Sequence, residues 1–326
     1  MKTRWVRTLT AGAIALSTVG AASSADARGD DRGRPDTYQL TGDDGGSKFE
    51  GIGVDQRQRT FYVSEVTGGE IHRGDVRSGD TEEWMPEGAD GRFTARGITT
   101  DGHDRIYIAG GPNGINTDRP DLWVYDKYGN LLTALKVGVP DAFLNDVAIG
   151  PDGAAYFTNS NAPQVFRVAN DNGDWNVTTW ADATGTINKE PGFNLGGIVV
   201  SPDRRSLVVA QGNVGKLWRF DLATAAATSI DIGNADLTNA DGLALSGRSL
   251  IVVRNFSRVI TTLRLDRHAE SADLRTEVAT DPDRVFTTGK IARGRLLVID
   301  SKFDEQVAQP PYEVVSLRLD KLAPRG

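Results

Sequence analysis

The sequence has no cysteine, and its 326 residues include only three histidines and two methionines. Without cysteine, disulfides and thiolate chemistry are both excluded, so stability must come from core packing or a bound metal. His72 stands in GEIHRGD, His103 in a hairpin turn and His268 in a charged loop. None of them occupies a position that the chain repeats, so neither a histidine dyad nor a Ser-His-Asp triad is expected. Long apolar runs are missing beyond the first thirty residues, which leaves no candidate membrane helix there. Positive charge is also short. The net charge of −7 makes the chain a poor non-specific binder of nucleic acid, and no nucleic-acid partner is expected. Helical periodicity of useful length is absent too.

The first residues read as a targeting segment. Lys2, Arg4 and Arg7 precede the apolar LTAGAIALSTVGAA (9–22), and Ala25-Asp26-Ala27 supplies a small-x-small cleavage pattern. A secretory signal peptide is therefore predicted over 1–27, with a secreted mature chain, near −9 in charge, that keeps no membrane anchor. The charged, breaker-rich residues 28–35 are expected to be a flexible leader, and 36–326 a single folded domain.

Within that domain one pattern occurs six times: FEGIGVDQRQRTFYVSE (49–65), ARGITTDGHDRIYIAGG (95–111), LNDVAIGPDGAAYFTNS (144–160), LGGIVVSPDRRSLVVAQ (195–211), ADGLALSGRSLIVVRN (240–255) and FTTGKIARGRLLVIDS (286–301). Each copy is a short apolar strand, a turn built from Asp, Gly, Pro or Arg, and a nearly continuous apolar strand of the kind buried on both faces. The residue in register before each first strand is Glu50, Arg96, Asn145, Gly196, Asp241 and Thr287, at spacings of 46, 49, 51, 45 and 46. A steady period of this size filled with β signals predicts an all-β fold, a six-bladed β-propeller. A β-sandwich would explain neither the count nor the period. The last copy is followed by one strand, YEVVSLRLD (312–320), while DTYQLTGD (36–43) stands unused before the first. Joining that N-terminal strand to the last blade would close the ring and cap an open edge.

In a propeller the six register residues meet at the axis. Repeats converge on one residue when packing alone decides, so the chemical variety here points to a site. Carboxylate and amide oxygens in a ring are hard ligands suited to calcium or another divalent cation. Glu50, Asn145 and Asp241 would supply three such oxygens, with water and substrate completing the shell.

FEGIGVD, FLNDVAIGPDGAAYFTNS and NADGLAL resemble the family of senescence-marker protein, gluconolactonase and luciferin-regenerating enzyme, six-bladed propellers that include calcium-dependent hydrolases. The likeness covers essentially the whole mature chain. It implies that a Glu of the first blade, an Asn of the third, an Asn of the fourth and an Asp of the fifth hold a divalent metal. Glu50, Asn145 and Asp241 match that set, and Gly196 stands where the fourth ligand belongs. Three readings follow: water, Asn194 or Asn239 completes the shell; affinity is weak; or the site has been lost and the channel only binds a ligand.

If a metal is held, it would polarise the carbonyl of a lactone or other small ester. Asp241 would then activate water or act as nucleophile, and Glu50 would serve as ligand only. Arg96 would pair with an anionic group or the oxyanion, or form a salt bridge to Glu50 or Asp241. Asp146 would support the site or cap a loop, and Thr287 and Thr288 would hydrogen-bond in the last blade. A lyase or isomerase with Asp241 as base, and a non-catalytic propeller binding a small ligand or protein, remain as alternatives. Specificity is expected from the loops 110–121 and 184–194, and a closed ring without a free edge is expected to be a monomer.

Overall fold

Turn residues placed between apolar runs make each copy fold back on itself, and two further strands complete each sheet. The computed structural model describes residues 34–111 and 118–323. The signal peptide expected at 1–27, the first residues of the leader, and 112–117 of the loop 110–121 lie outside the described residues. Those described form six four-stranded antiparallel sheets, the arrangement of a six-bladed β-propeller. The inner strands are Phe49–Val54, Ile98–Thr100, Leu144–Ile149, Leu195–Val200, Ala240–Ser246 and Phe286–Ala292, taken here as blades 1 to 6. The ring closes as the strand count required: Thr37–Leu40 pairs antiparallel with Tyr312–Arg318 and becomes the outermost strand of blade 6.

The core is divided among the blade interfaces. Leu, Val and Ile of the second strands pack against aromatic and aliphatic residues of the next sheet, as where Tyr156 and Phe220 flank the interface of blades 3 and 4. Blades 6 and 1 share Tyr38, Phe49, Phe61 and Tyr312, so the closing strand is held by apolar burial as well as by its ladder.

One local irregularity positions the axis. Five inner strands shift register at the same place, so that two residues oppose one. The bulged pairs are Glu50-Gly51, Asn145-Asp146, Gly196-Gly197, Asp241-Gly242 and Thr287-Thr288. Such a bulge bends the strand and re-aims a side chain. The second member is glycine where adjacent backbones come closest. A Cβ on Gly197 would fall 2.2 Å from the Asp241 carbonyl oxygen, and one on Gly51 2.1 Å from the Arg96 carbonyl oxygen. The propeller axis is therefore packed backbone against backbone.

Candidate active site on the propeller axis

Hydroxyl side chains satisfy the backbone groups that the bulges leave unpaired. Ser64 Oγ accepts the Gly51 N–H at 2.9 Å and donates to the Arg96 carbonyl of the next blade. Thr158 Oγ1 repeats the device, accepting from Asp146 N at 3.1 Å and donating to the Gly196 carbonyl at 2.8 Å. Thr287 Oγ1 donates to the Glu50 carbonyl at 2.9 Å and joins blade 6 to blade 1. These bonds hold the register residues of neighbouring blades in fixed relation.

Glu50, Arg96, Asn145, Gly196 and Asp241 line one cavity of about 430 Å³ at the mouth of the axis. That volume suits a small molecule. Arg96 is buried, with Nε 3.6 Å from Glu50 Oε2 and its guanidinium stacked 3.8 Å from the centre of the Phe143 ring. Of the roles considered for Arg96, these contacts favour the ion pair with Glu50. Asp241 Oδ2 accepts the Asn255 Nδ2–H at 2.8 Å. An ideal Cβ on Gly196 would lie 3.7 Å from Asn145 Oδ1 and 3.8 Å from Asp241 Oδ1. Both oxygens therefore face the space that a longer side chain at 196 would enter.

Several expectations are corrected or refined. Asn194 is not free to complete a metal shell. Its Oδ1 accepts from Glu190 N at 2.8 Å and Gln211 Nε2 at 3.1 Å, and its Nδ2 donates to the Glu190 and Gly192 carbonyls. All its capacity is used to clamp the loop before blade 4. Asn239 lines the cavity and donates through Nδ2 to Ser257 Oγ at 3.1 Å. Asp146 joins blades rather than facing the cavity, accepting from Val147 N at 2.8 Å and Ile198 N at 3.2 Å.

Burial raises both axial carboxylates. Glu50 is pushed up to about 8 by desolvation, which outweighs the opposing Arg96 charge, while Asp241 and Asp146 push the same way. Asp241 keeps some exposure to the cavity but is ringed by protein, and desolvation takes it to about 7 against the Asn255 hydrogen bond. This donor set fits a divalent cation, because two desolvated carboxylates, of which only Glu50 has an arginine beside it, are relieved by added positive charge.

The family model of the SMP-30/gluconolactonase/LRE-like region matches residues 49–280. The chain belongs to this family. Among solved structures, a gluconolactonase from Xanthomonas campestris is 18% identical, covers 84% of this chain and 87% of its own, and superposes with a TM-score of 0.58. The calcium-binding protein regucalcin from Agrobacterium tumefaciens is 16% identical over 84% of this chain and 94% of its own, with a TM-score of 0.57. The major Malassezia sympodialis allergen Mala s 1 is 17% identical over 90% and 98%, with a TM-score of 0.67. At these identities the likeness shows a shared fold. A comparison with curated protein sequences finds no match.

As a gluconolactonase-family propeller, the chain carries features at the cavity that its repeat did not reveal. Asn255 is the last residue of the fifth copy and sits at the exit of the second strand, beside the register residue. A polar residue ending an apolar strand was the available signal. Phe143, Phe193, Phe256 and Phe303 also line the cavity, and all four stand outside the aligned strand cores.

The raised carboxylates set a pH dependence. Their ordinary values are 4.5 for Glu50 and 3.8 for Asp241, against about 8 and about 7 in the fold. The folded state thus keeps protons that the unfolded chain has released. Stability from these groups is complete below the ordinary values and is lost as pH rises through about 7 to 8. Asp152 and Asp203, held below 3.8 by their hydrogen bonds despite burial, contribute stability that is already constant in this window. Thermal melts in chelator are therefore expected to fall in Tm from about pH 5 to about pH 8, and calcium is expected to flatten the decline. A Tm that rises over this range without cation would contradict the assignment.

Proposed function

We propose that the protein hydrolyses a lactone or other small ester at the axial cavity, with calcium or another divalent cation held by Glu50, Asn145 and Asp241. The observation that carries this reading is the convergence of two desolvated carboxylates and one amide on a cavity of about 430 Å³, in a chain of the gluconolactonase family. A cation bound there would polarise the substrate carbonyl and stabilise the negative oxygen that develops. Asn255 fixes Asp241 through Oδ2, so the carboxylate is oriented to take a proton from attacking water. Arg96, with Nε 3.6 Å from Glu50 Oε2, holds Glu50 in place. Secretion through the N-terminal segment belongs to the same reading, since extracellular calcium would fill even a weak site.

The cavity wall narrows the substrate class. Phe193 is 62% exposed and Phe256 50% exposed, and both stand at the mouth with no core to fill. Phe193 lies 4.9 Å from the Phe143 ring. Such a collar favours a lactone or ester bearing an apolar chain or ring over a polyhydroxylated sugar lactone. In a panel of both kinds, the apolar substrates are expected to turn over, with activity lost on chelation. Phe193→Ser together with Phe256→Ser should raise KM about tenfold for apolar substrates, with kcat little changed. Failure of every lactone and ester in the presence of calcium would overturn the hydrolase reading.

The Arg96–Glu50 contact favours one second reading, since the guanidinium supplies positive charge at the ring without a metal. On that reading the cavity binds an apolar ligand and does no chemistry. Binding of apolar lactones without turnover, unchanged by chelation, would support it.

A further inference from the structure

A second cluster of acidic groups, none of which lines the axial cavity, lies where the two ends of the ring meet. Asp43 belongs to the loop that runs from the closing strand of blade 6 to the inner strand of blade 1. Glu65 ends the second strand of blade 1, and Glu70 precedes its third. One oxygen from each of the three carboxylates lies within 4.8 Å of the others. Two oxygens on opposite sides of a calcium ion are separated by about this distance, since each bond is about 2.4 Å.

Proximity of acidic groups is common on protein surfaces, but Glu70 is different. It is only 4% exposed, and its Oε2 is buried without any hydrogen-bond partner. A buried carboxylate oxygen with no donor costs free energy unless something else satisfies it. The loop closes tightly over this group: at Gly68, whose φ is +80°, a Cβ would fall 2.6 Å from both Glu70 carboxylate oxygens. Of the neighbouring cations, Arg92 keeps Nη2 buried without a hydrogen-bond partner and feels the Glu70 charge, but no ion pair joins the two. Arg92 donates to the Gly69 carbonyl at 2.7 Å and to the Tyr125 hydroxyl, and Lys48 Nζ donates to the Glu305 carbonyl at 2.7 Å. Among the described residues neither lysine nor arginine forms an ion pair with Asp43, Glu65 or Glu70. Glu65 is already oriented, with Oε1 accepting from Thr67 Oγ1 at 2.6 Å and Oε2 3.3 Å from His72 Nε2.

We propose that Asp43, Glu65 and Glu70 form a second, structural calcium site that clasps the ring at its closure. Exposed Asp43 gives the ion a route from solvent and leaves room for water to complete the shell. The bound ion would tie the loop after the closing strand to the top of blade 1, adding a link across the seam that one ladder and an apolar interface otherwise hold. Burial and the adjacent Glu65 charge both disfavour an unneutralised carboxylate at Glu70, a condition that a bound cation relieves.

The test is calcium stoichiometry by equilibrium dialysis, with Tm measured on the same samples. In Glu50→Gln/Asp241→Asn, which disables the axial site, one calcium per chain and a calcium-dependent rise in Tm are expected to remain. In Asp43→Asn/Glu70→Gln, the axial calcium alone should remain and the seam should lose its share of the rise. Should Glu70→Gln fail to fold, Asp43→Asn alone, altered at an exposed position, is expected to weaken the second site about tenfold. The proposal is overturned if the axial variant binds no calcium, or if Asp43→Asn/Glu70→Gln binds as much as the unaltered protein. Failure of the axial reading has a separate signature: a single calcium that is lost with Asp43→Asn/Glu70→Gln and kept in Glu50→Gln/Asp241→Asn.

Discussion

Asp241→Asn is expected to lower lactone turnover by roughly 10²–10⁴-fold while the protein stays folded. The substitution preserves shape, and the amide oxygen can accept the Asn255 Nδ2–H that Asp241 Oδ2 now receives at 2.8 Å. What disappears is the negative charge, and with it both the proton acceptor and a charged ligand. Because that charge is held in a desolvated position and pushed up to about 7, removing it relieves the fold of a cost. Cation-free Tm at about pH 8 should therefore hold or rise, and its response to calcium should shrink. The combination matters. A variant that merely misfolds would lose activity and Tm together, whereas loss of a base leaves Tm intact. Turnover within about threefold of the unaltered protein would remove Asp241 from the mechanism.

Gly196→Asn is expected to tighten calcium binding at the axis roughly ten- to a hundredfold, since calcium sites are tuned over that range and more by their ligands. The backbone allows the change. Gly196 does not have a positive φ, and the atoms nearest to a Cβ there would be the Asp241 carbonyl oxygen at 3.5 Å and the Asn145 and Asp241 side-chain oxygens at 3.7 and 3.8 Å. Those are ordinary van der Waals separations, and the new amide would extend between two of the proposed ligands. The adjacent Gly197 offers no such room, because its Cβ would lie 2.2 Å from the Asp241 carbonyl oxygen. Titration against a chelating dye measures the gain. Unchanged or weaker binding would mean that a side chain at 196 does not join the cation's shell.

The sequence by itself determined the architecture. Each blade is a local unit whose strand and turn pattern is complete within about fifty residues, so six copies announce six blades, and a leftover strand at each end announces the closure. It also determined which residues stand at the axis, because a repeat fixes equivalent positions whatever occupies them. Five of the six, Glu50, Arg96, Asn145, Gly196 and Asp241, line one cavity, whereas Thr287 does not line it and donates to the Glu50 carbonyl instead. Only the tertiary structure decided what those residues contact. Arg96 is pinned between Glu50 and the Phe143 ring, Asn194 is used up by its own loop, and Asn255 holds Asp241. These outcomes depend on loops from different blades, which carry no shared pattern. Desolvation is likewise invisible in sequence: Glu50 and Asp241 are unusual acids because neighbouring blades exclude water from them. The Asp43, Glu65 and Glu70 cluster exists for the same reason, assembled across the seam by ring closure and not by any spacing along the chain.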